Sequence, residues 1–122
     1  MNWKRLCEIA DGTVRAARAR LPAEVRPAAD ALPVTFEPWP SKAMLEDEGV
    51  ESDILGLFVG PEMSADATAT LPPQILLFLE NLWDYAEGDD AVFREEVRIT
   101  YLHELGHYLG WDEDELARRG LD

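Results

Sequence analysis

The chain has 122 residues, enough to bury most of its apolar surface in one core, and we expect a single domain over residues 1–122. Its formal net charge is −14. Residues 1–26 carry six Lys or Arg and three Asp or Glu. Beyond them five cations face 22 acids, so the chain lacks the clustered positive charge that nucleic-acid binding requires, and we expect no nucleic-acid partner.

The first predicted element is an amphipathic helix over residues 2–20. An Arg-rich start of this kind resembles a transit peptide, but Glu8 and Asp11 interrupt it, and a helix that backs a sheet explains the pattern better. Pro22 and Pro27 are expected to close the element. Its apolar residues recur at steps of three and four: Trp3, Leu6, Cys7, Ala10, Val14, Ala17 and Leu21.

The composition favours a soluble, cytoplasmic protein. No apolar run approaches the length of a membrane span, and the N-terminus lacks the hydrophobic region of a signal peptide. The single cysteine, Cys7, cannot form an internal disulfide and lies on the apolar face of the first helix. We expect it to be packed rather than reactive.

Three strands are predicted from short apolar segments bounded by Pro and Gly. They comprise residues 32–37, 54–59 and 74–79. A weaker candidate for an edge strand lies at residues 67–70, within the polar connection 62–73. The acidic stretch 46–53 lacks the regular spacing of a calcium loop, so we expect a solvated helix end and turn there.

Helical spacing dominates after the third strand. A short helix ends at Gly88, and a long helix over about residues 91–109 follows, capped by Asp89 or Asp90 and ended by Gly110. A last short helix over residues 114–119 is anchored by Leu116. Together these elements predict an α+β fold, in which a small mixed sheet of three or four strands packs with helices.

The long helix carries the sequence His103-Glu104-Leu105-Gly106-His107, the H-E-x-x-H spacing of zinc hydrolases. Residues four apart on a helix project within about 40° of each other, so both imidazoles can reach one metal ion. Glu104 projects to the side, where its carboxylate can act as general base on a metal-bound water. A solvated His-Glu face is the alternative, but the apolar residues around the histidines argue against it: Val97, Ile99, Leu102, Leu105 and Leu109.

A third protein ligand is expected, because a catalytic zinc site usually has three and a water. The chain turns back at Gly110, and Glu113 stands three residues later, where the longer motif H-E-x-x-H-x-x-G-x-x-H places its last histidine. Glu113 is therefore the predicted ligand, with Asp112 and Asp114 as alternatives. These acids also suit the first turn of a helix, whose dipole favours negative charge.

Residues 97–116, with the sequence V-R-I-T-Y-L-H-E-L-G-H-Y-L-G-W-D-E-D-E-L, resemble the short bacterial zincin-like metallopeptidases called mini-zincins. Residues 55–58 and 73–78 match the two interior strands of that family, and the resemblance covers roughly residues 30–120. It implies a minimal zincin fold with the H-E-x-x-H helix under a cleft beside an edge strand. The family commonly has Asp where this chain has Glu113, and the Met-turn of larger metzincins is absent.

The resemblance implies a zinc-dependent peptidase that acts on an extended peptide, with His103 and His107 as ligands. Glu104 would take the water's proton and hand it to the leaving amine. Three tyrosines are candidates to stabilise the oxyanion: Tyr85, Tyr101 and Tyr108. A basic peptide would be attracted to so acidic a surface.

Two other functions are compatible with the sequence. The first is a zinc-stabilised module that binds peptides without hydrolysis; Glu104 favours the enzyme, since structural sites are usually closed by four ligands. The second is an acidic interaction protein with an accidental motif. The sequence leaves the substrate and the oligomeric state open.

Overall fold

The computed structural model describes residues 1–63 and 72–120, which form a three-stranded sheet packed with helices. The helices are α1 (Trp3–Ala19), α2 (Arg26–Ala31), α3 (Lys42–Asp47), α4 (Leu79–Tyr85), α5 (Asp90–Leu109) and α6 (Glu113–Arg118). The strands are β1 (Val34–Glu37), β2 (Gly56–Val59) and β3 (Gln74–Phe78). The predicted α+β class is confirmed. The possible edge strand at 67–70 lies outside the described residues.

The sheet is mixed, with the strand order β1-β3-β2. The central strand β3 runs parallel to β1 and antiparallel to β2, so that Ile75 lies between Val34 and Phe58. From Ile75 to Phe78 the central strand is buried, as its nearly continuous apolar sequence predicts. Among the described strands β2 is an edge strand, and α5 packs against both β2 and β3.

The core lies between α1, α5 and the sheet. The predicted apolar face of α1 is buried at Leu6, Ala10 and Val14 and packs on α5. Tyr101 of α5 is fully buried, and its hydroxyl accepts a hydrogen bond from Arg18 Nε of α1 at 3.1 Å. Burial raises the pKa of the Tyr101 phenol, partly opposed by the Arg18 guanidinium.

Cys7 is half-buried and packs against this core, as predicted. Burial raises the pKa of its thiol, which reduces the thiolate fraction at neutral pH. Within residues 1–63 and 72–120, no helix is long and apolar enough to cross a membrane.

Of the short helices α2 and α3, only α2 departs from the expected pattern. α1 ends at Ala19, and Pro27 is the second residue of α2 instead of closing α1. A proline fits the first turn of a helix, because the N–H groups of that turn have no partner within the helix. The fixed φ of proline also matches the helical value. α3 is capped by the Ser41 side chain, and the chain turns at Gly49 with φ 66°, so the expected helix end and turn are confirmed.

Candidate metal centre

The helix α5 is fixed at both ends by the residues that the sequence indicates. The Asp89 side chain accepts a hydrogen bond from the Val92 N–H at 3.0 Å, which caps the first turn. At the other end Gly110 adopts a left-handed conformation with φ 77°. There the Trp111 N–H donates to the Gly106 carbonyl at 2.8 Å. Residues 103–107 therefore lie in the last two turns of a helix that is capped at both ends.

His103 and His107 lie side by side, with ring centroids 4.6 Å apart. One ligand atom from each of His103, Glu104 and His107 lies within 4.8 Å of the others. Nitrogens bound to a tetrahedral zinc at about 2.0–2.1 Å lie about 3.4 Å apart, which small side-chain rotations would achieve. The His107 side chain is 49% exposed and that of Glu104 only 9% exposed, so the group opens to solvent on the histidine side.

The Glu104 carboxylate is held by the backbone of the neighbouring strand. Its Oε1 accepts a hydrogen bond from the Phe58 N–H of β2 at 2.8 Å and lies 3.4 Å from His107 Nδ1. The Leu55 carbonyl accepts a hydrogen bond from the Phe78 N–H at 2.9 Å, so Leu55 is bonded to β3. In an antiparallel pair every second residue bonds the partner strand, so the Phe58 N–H points away from β3. The backbone amide of Phe58 thus orients the Glu104 carboxylate.

A close approach of β2 to α5 makes this contact possible. A Cβ atom on Gly56 would lie 2.6 Å from Thr100 Cγ2 and 3.2 Å from the Leu76 carbonyl oxygen. Thr100, one turn before Glu104, is buried. Only glycine lets the strand lie this close to the helix.

A cleft of about 340 Å³ opens beside His103 and Glu104. The start of β2 and the residues before it form one wall, and α5 forms the other. Its lining consists of Ile54, Leu55, Gly56, Glu96, Ile99, Thr100, His103 and Glu104. The resemblance implies such a cleft over the H-E-x-x-H helix beside a strand, and the structure has one there.

The model of a zincin-like metallopeptidase family matches residues 29–121. The chain belongs to this family. Among curated proteins, none matches the chain. The His-Glu-His group of this zincin-like metallopeptidase is consistent with the H-E-x-x-H metal site of its family, and a peptidase family implies peptide substrates.

The acidic run of this metallopeptidase follows Gly110 and begins α6. The Asp112 side chain caps α6 by accepting a hydrogen bond from the Glu115 N–H at 2.8 Å. Glu113 and Asp114 are exposed in the first helical turn, and Glu113 lies outside the group of ligand atoms formed by the histidines and Glu104. Its role as third ligand stays a prediction.

The three tyrosines occupy different places in the metallopeptidase. The Tyr101 hydroxyl bonds Arg18 in the core, so this residue serves packing. Tyr85 of α4 is 61% exposed. Tyr108 follows His107 and contacts Phe58 of β2, with ring centroids 5.6 Å apart. Tyr108 is thus the tyrosine placed between the helix and the strand that holds Glu104.

α6 packs on α5 through Leu116, which is buried against Gly106. A Cβ on Gly106 would lie 2.9 Å from both Leu116 methyl groups. The motif H-E-x-x-H leaves the residue at position 106 unspecified. The contact gives it a structural role, because it sets how closely the acidic turn approaches the histidine helix.

Gly106→Ala is expected to destabilise the protein by about 1–2 kcal/mol. The new methyl group displaces Leu116, and overpacking of this kind outweighs the gain in helix propensity. Gly12→Ala is the matched control, because a Cβ there meets nothing within 4 Å in the exposed middle of α1. The control is expected to gain about 0.5–1 kcal/mol. Urea unfolding of both variants measures the difference; equal stabilities would contradict the packing argument.

Proposed function

We propose that this metallopeptidase binds Zn²⁺ through His103 and His107 and hydrolyses peptide bonds with Glu104 as general base. The observation that carries the proposal is the convergence of two imidazoles with a buried, oriented carboxylate at the end of an open cleft. Imidazole nitrogens suit zinc, and two of them leave positions for a further ligand and a water. The donor set on α5 therefore fits zinc.

Bound zinc would supply a Lewis acid that lowers the pKa of its water and polarises the scissile carbonyl. The residues of the chain supply the proton transfers. Because the Phe58 N–H holds Glu104 at Oε1, the other oxygen, Oε2, can take the water's proton and pass it to the leaving amine. Burial of Glu104 keeps the carboxylate in one position during this transfer.

The peptide is proposed to lie along the cleft, beside the start of β2. Gly56 and Phe58 alternate with the residues that hydrogen-bond β3, so their backbone groups point away from β3. An extended peptide can bond such groups, as in strand addition. The Phe58 N–H already donates to Glu104, so the peptide is proposed to pair near Gly56, where the cleft lies.

A zinc-stabilised binding module without hydrolysis is the competing function. A structural zinc site is closed by four ligands and has no need of an adjacent base. Here His107 is half exposed and Glu104 lies beside it, bound through one oxygen to a backbone amide. These features support the enzyme.

The test combines metal content with peptide cleavage. The purified chain is expected to bind about one zinc per molecule, as two imidazoles and one carboxylate require. A mixed peptide library incubated with the zinc-loaded protein should yield new termini, and a chelator should prevent their formation. A protein that binds no zinc, or that binds zinc and cleaves nothing, would contradict the proposal.

We also propose that Glu113 is the third zinc ligand. It is exposed at the start of α6, so its side chain is free to turn toward the histidines, whereas the carboxylate of Asp112 already caps the helix. Glu113→Ala is therefore expected to weaken zinc binding by about 10- to 100-fold or more, since even partners of ligands contribute this much.

Asp112→Ala and Asp114→Ala are the matched controls for Glu113. Loss of the Asp112 cap is expected to cost about 1 kcal/mol of stability while affecting zinc affinity less than Glu113→Ala. Competitive titration with a zinc chelator measures all three variants. Equal affinities for Glu113→Ala and Asp112→Ala would exclude the assignment.

A further inference from the structure

Glu96 lines the same cleft as His103 and lies nearer the start of α5. It precedes His103 by seven residues on α5, which places both on one face of the helix, separated by about 10 Å along its axis. Both residues line the cleft, with Thr100 between them. A carboxylate thus stands at one end of the cleft and the candidate metal centre at the other.

The cleft between these two ends has apolar walls. Ile99 of α5 lies on one side, and Ile54 and Leu55, just before β2, lie on the other. Gly56 lies close against Thr100 and adds no side chain to the cleft. The space therefore suits an apolar stem more than a branched polar group.

Glu96 has no counter-ion within residues 1–63 and 72–120. Other acids of α5 are paired: Asp90 with Arg94 at 2.7 Å, and Glu95 with Arg98 at 2.6 Å. Glu96 is also half-buried, so a ligand that covered it would have to supply a positive charge.

We propose that the cleft recognises a Lys or Arg side chain of the peptide substrate and that Glu96 binds its cationic head. This inference rests on the proposed peptidase function, because it places the scissile bond at the histidines. From there a residue next to the bond needs a long side chain to reach Glu96. Lys and Arg have such stems, and their methylene groups can lie along Ile99 and Leu55 while the charge meets the carboxylate.

The charge of the whole protein acts in the same direction. With a net charge of −14, it attracts basic peptides and repels acidic ones before they reach the cleft. That general attraction does not depend on where a cation sits in the peptide. Recognition by Glu96 depends on that position, so peptides that differ only in where the cation lies distinguish the two effects.

The first experiment measures kcat/KM for matched peptides that carry Lys, Met or Glu at each position around one cleavage site. One position is expected to prefer Lys over Met by about ten-fold, the size of a charge-assisted hydrogen bond. Glu96→Gln is expected to remove most of this preference, and Glu96→Lys to favour the Glu peptide. Glu24→Gln, which removes the same charge from an exposed site between α1 and α2, should keep the preference.

The second experiment measures binding without turnover. Fluorescent Lys and Met peptides are titrated against zinc-loaded Glu104→Gln protein, with and without Glu96→Gln, and followed by anisotropy. Selective binding of Lys that disappears with Glu96→Gln supports the inference even where the parent cleaves no peptide, a result that would refute only the proposed hydrolysis. Cleavage without a Lys preference, a preference unchanged by Glu96→Gln, or no binding of either peptide overturns the inference.

Discussion

Glu104→Gln is expected to keep zinc and to lower peptide hydrolysis by about 10²- to 10⁴-fold, the usual contribution of a general base. Gln has the same shape and keeps an oxygen that can accept the Phe58 N–H, so the local structure should persist. Its amide cannot take a proton from water. Zinc affinity should change little, because in the proposal Glu104 acts on the water rather than on the metal.

Metal analysis and single-turnover cleavage of one peptide measure the two properties separately. Glu24→Gln serves as a control for the loss of one negative charge, because Glu24 is exposed and lies outside the residues that line the cleft. Cleavage by Glu104→Gln at the rate of the parent would show that the base is another group. Loss of zinc in this variant would indicate that Glu104 is itself a ligand.

The histidine pair could be predicted from sequence because one helix determines its geometry. His103 and His107 are four residues apart, so their juxtaposition follows from the pitch of α5 and needs no knowledge of the rest of the fold. The length of α5 and its end at Gly110 were equally local signals. The short helix α2 could not be predicted in this way, because six residues are too few to show a helical periodicity.

The contacts that complete the site are not local in sequence. The bond from Phe58 to Glu104 joins residues 46 apart and depends on the register of β2 and on how closely Gly56 lets it approach α5. The position of Glu96 at the end of the cleft depends on the same approach. The order of residue types along the chain therefore predicts neither the bond from Phe58 to Glu104 nor the position of Glu96 in the cleft.

His107→Ala is expected to abolish both zinc binding and hydrolysis. With one imidazole left on α5, the remaining ligands cannot hold the metal in place. Zinc at about 1,000 times its Kd stabilises a folded protein by about 4 kcal/mol, and the variant should lose this increment. Its zinc-free form should remain folded, because the His107 side chain is about half exposed and its removal leaves little cavity.

Urea unfolding with excess zinc and with a chelator separates these effects. The parent is expected to differ between the two conditions by several kcal/mol, and His107→Ala to give nearly the same stability in both. His103→Ala should behave in the same way, since the two rings face each other at 4.6 Å and are proposed to share one ion. A His107→Ala protein that still gained the parent's stability from zinc would place the metal elsewhere. The mechanism assigned to Glu104 would then have no metal-bound water to act on.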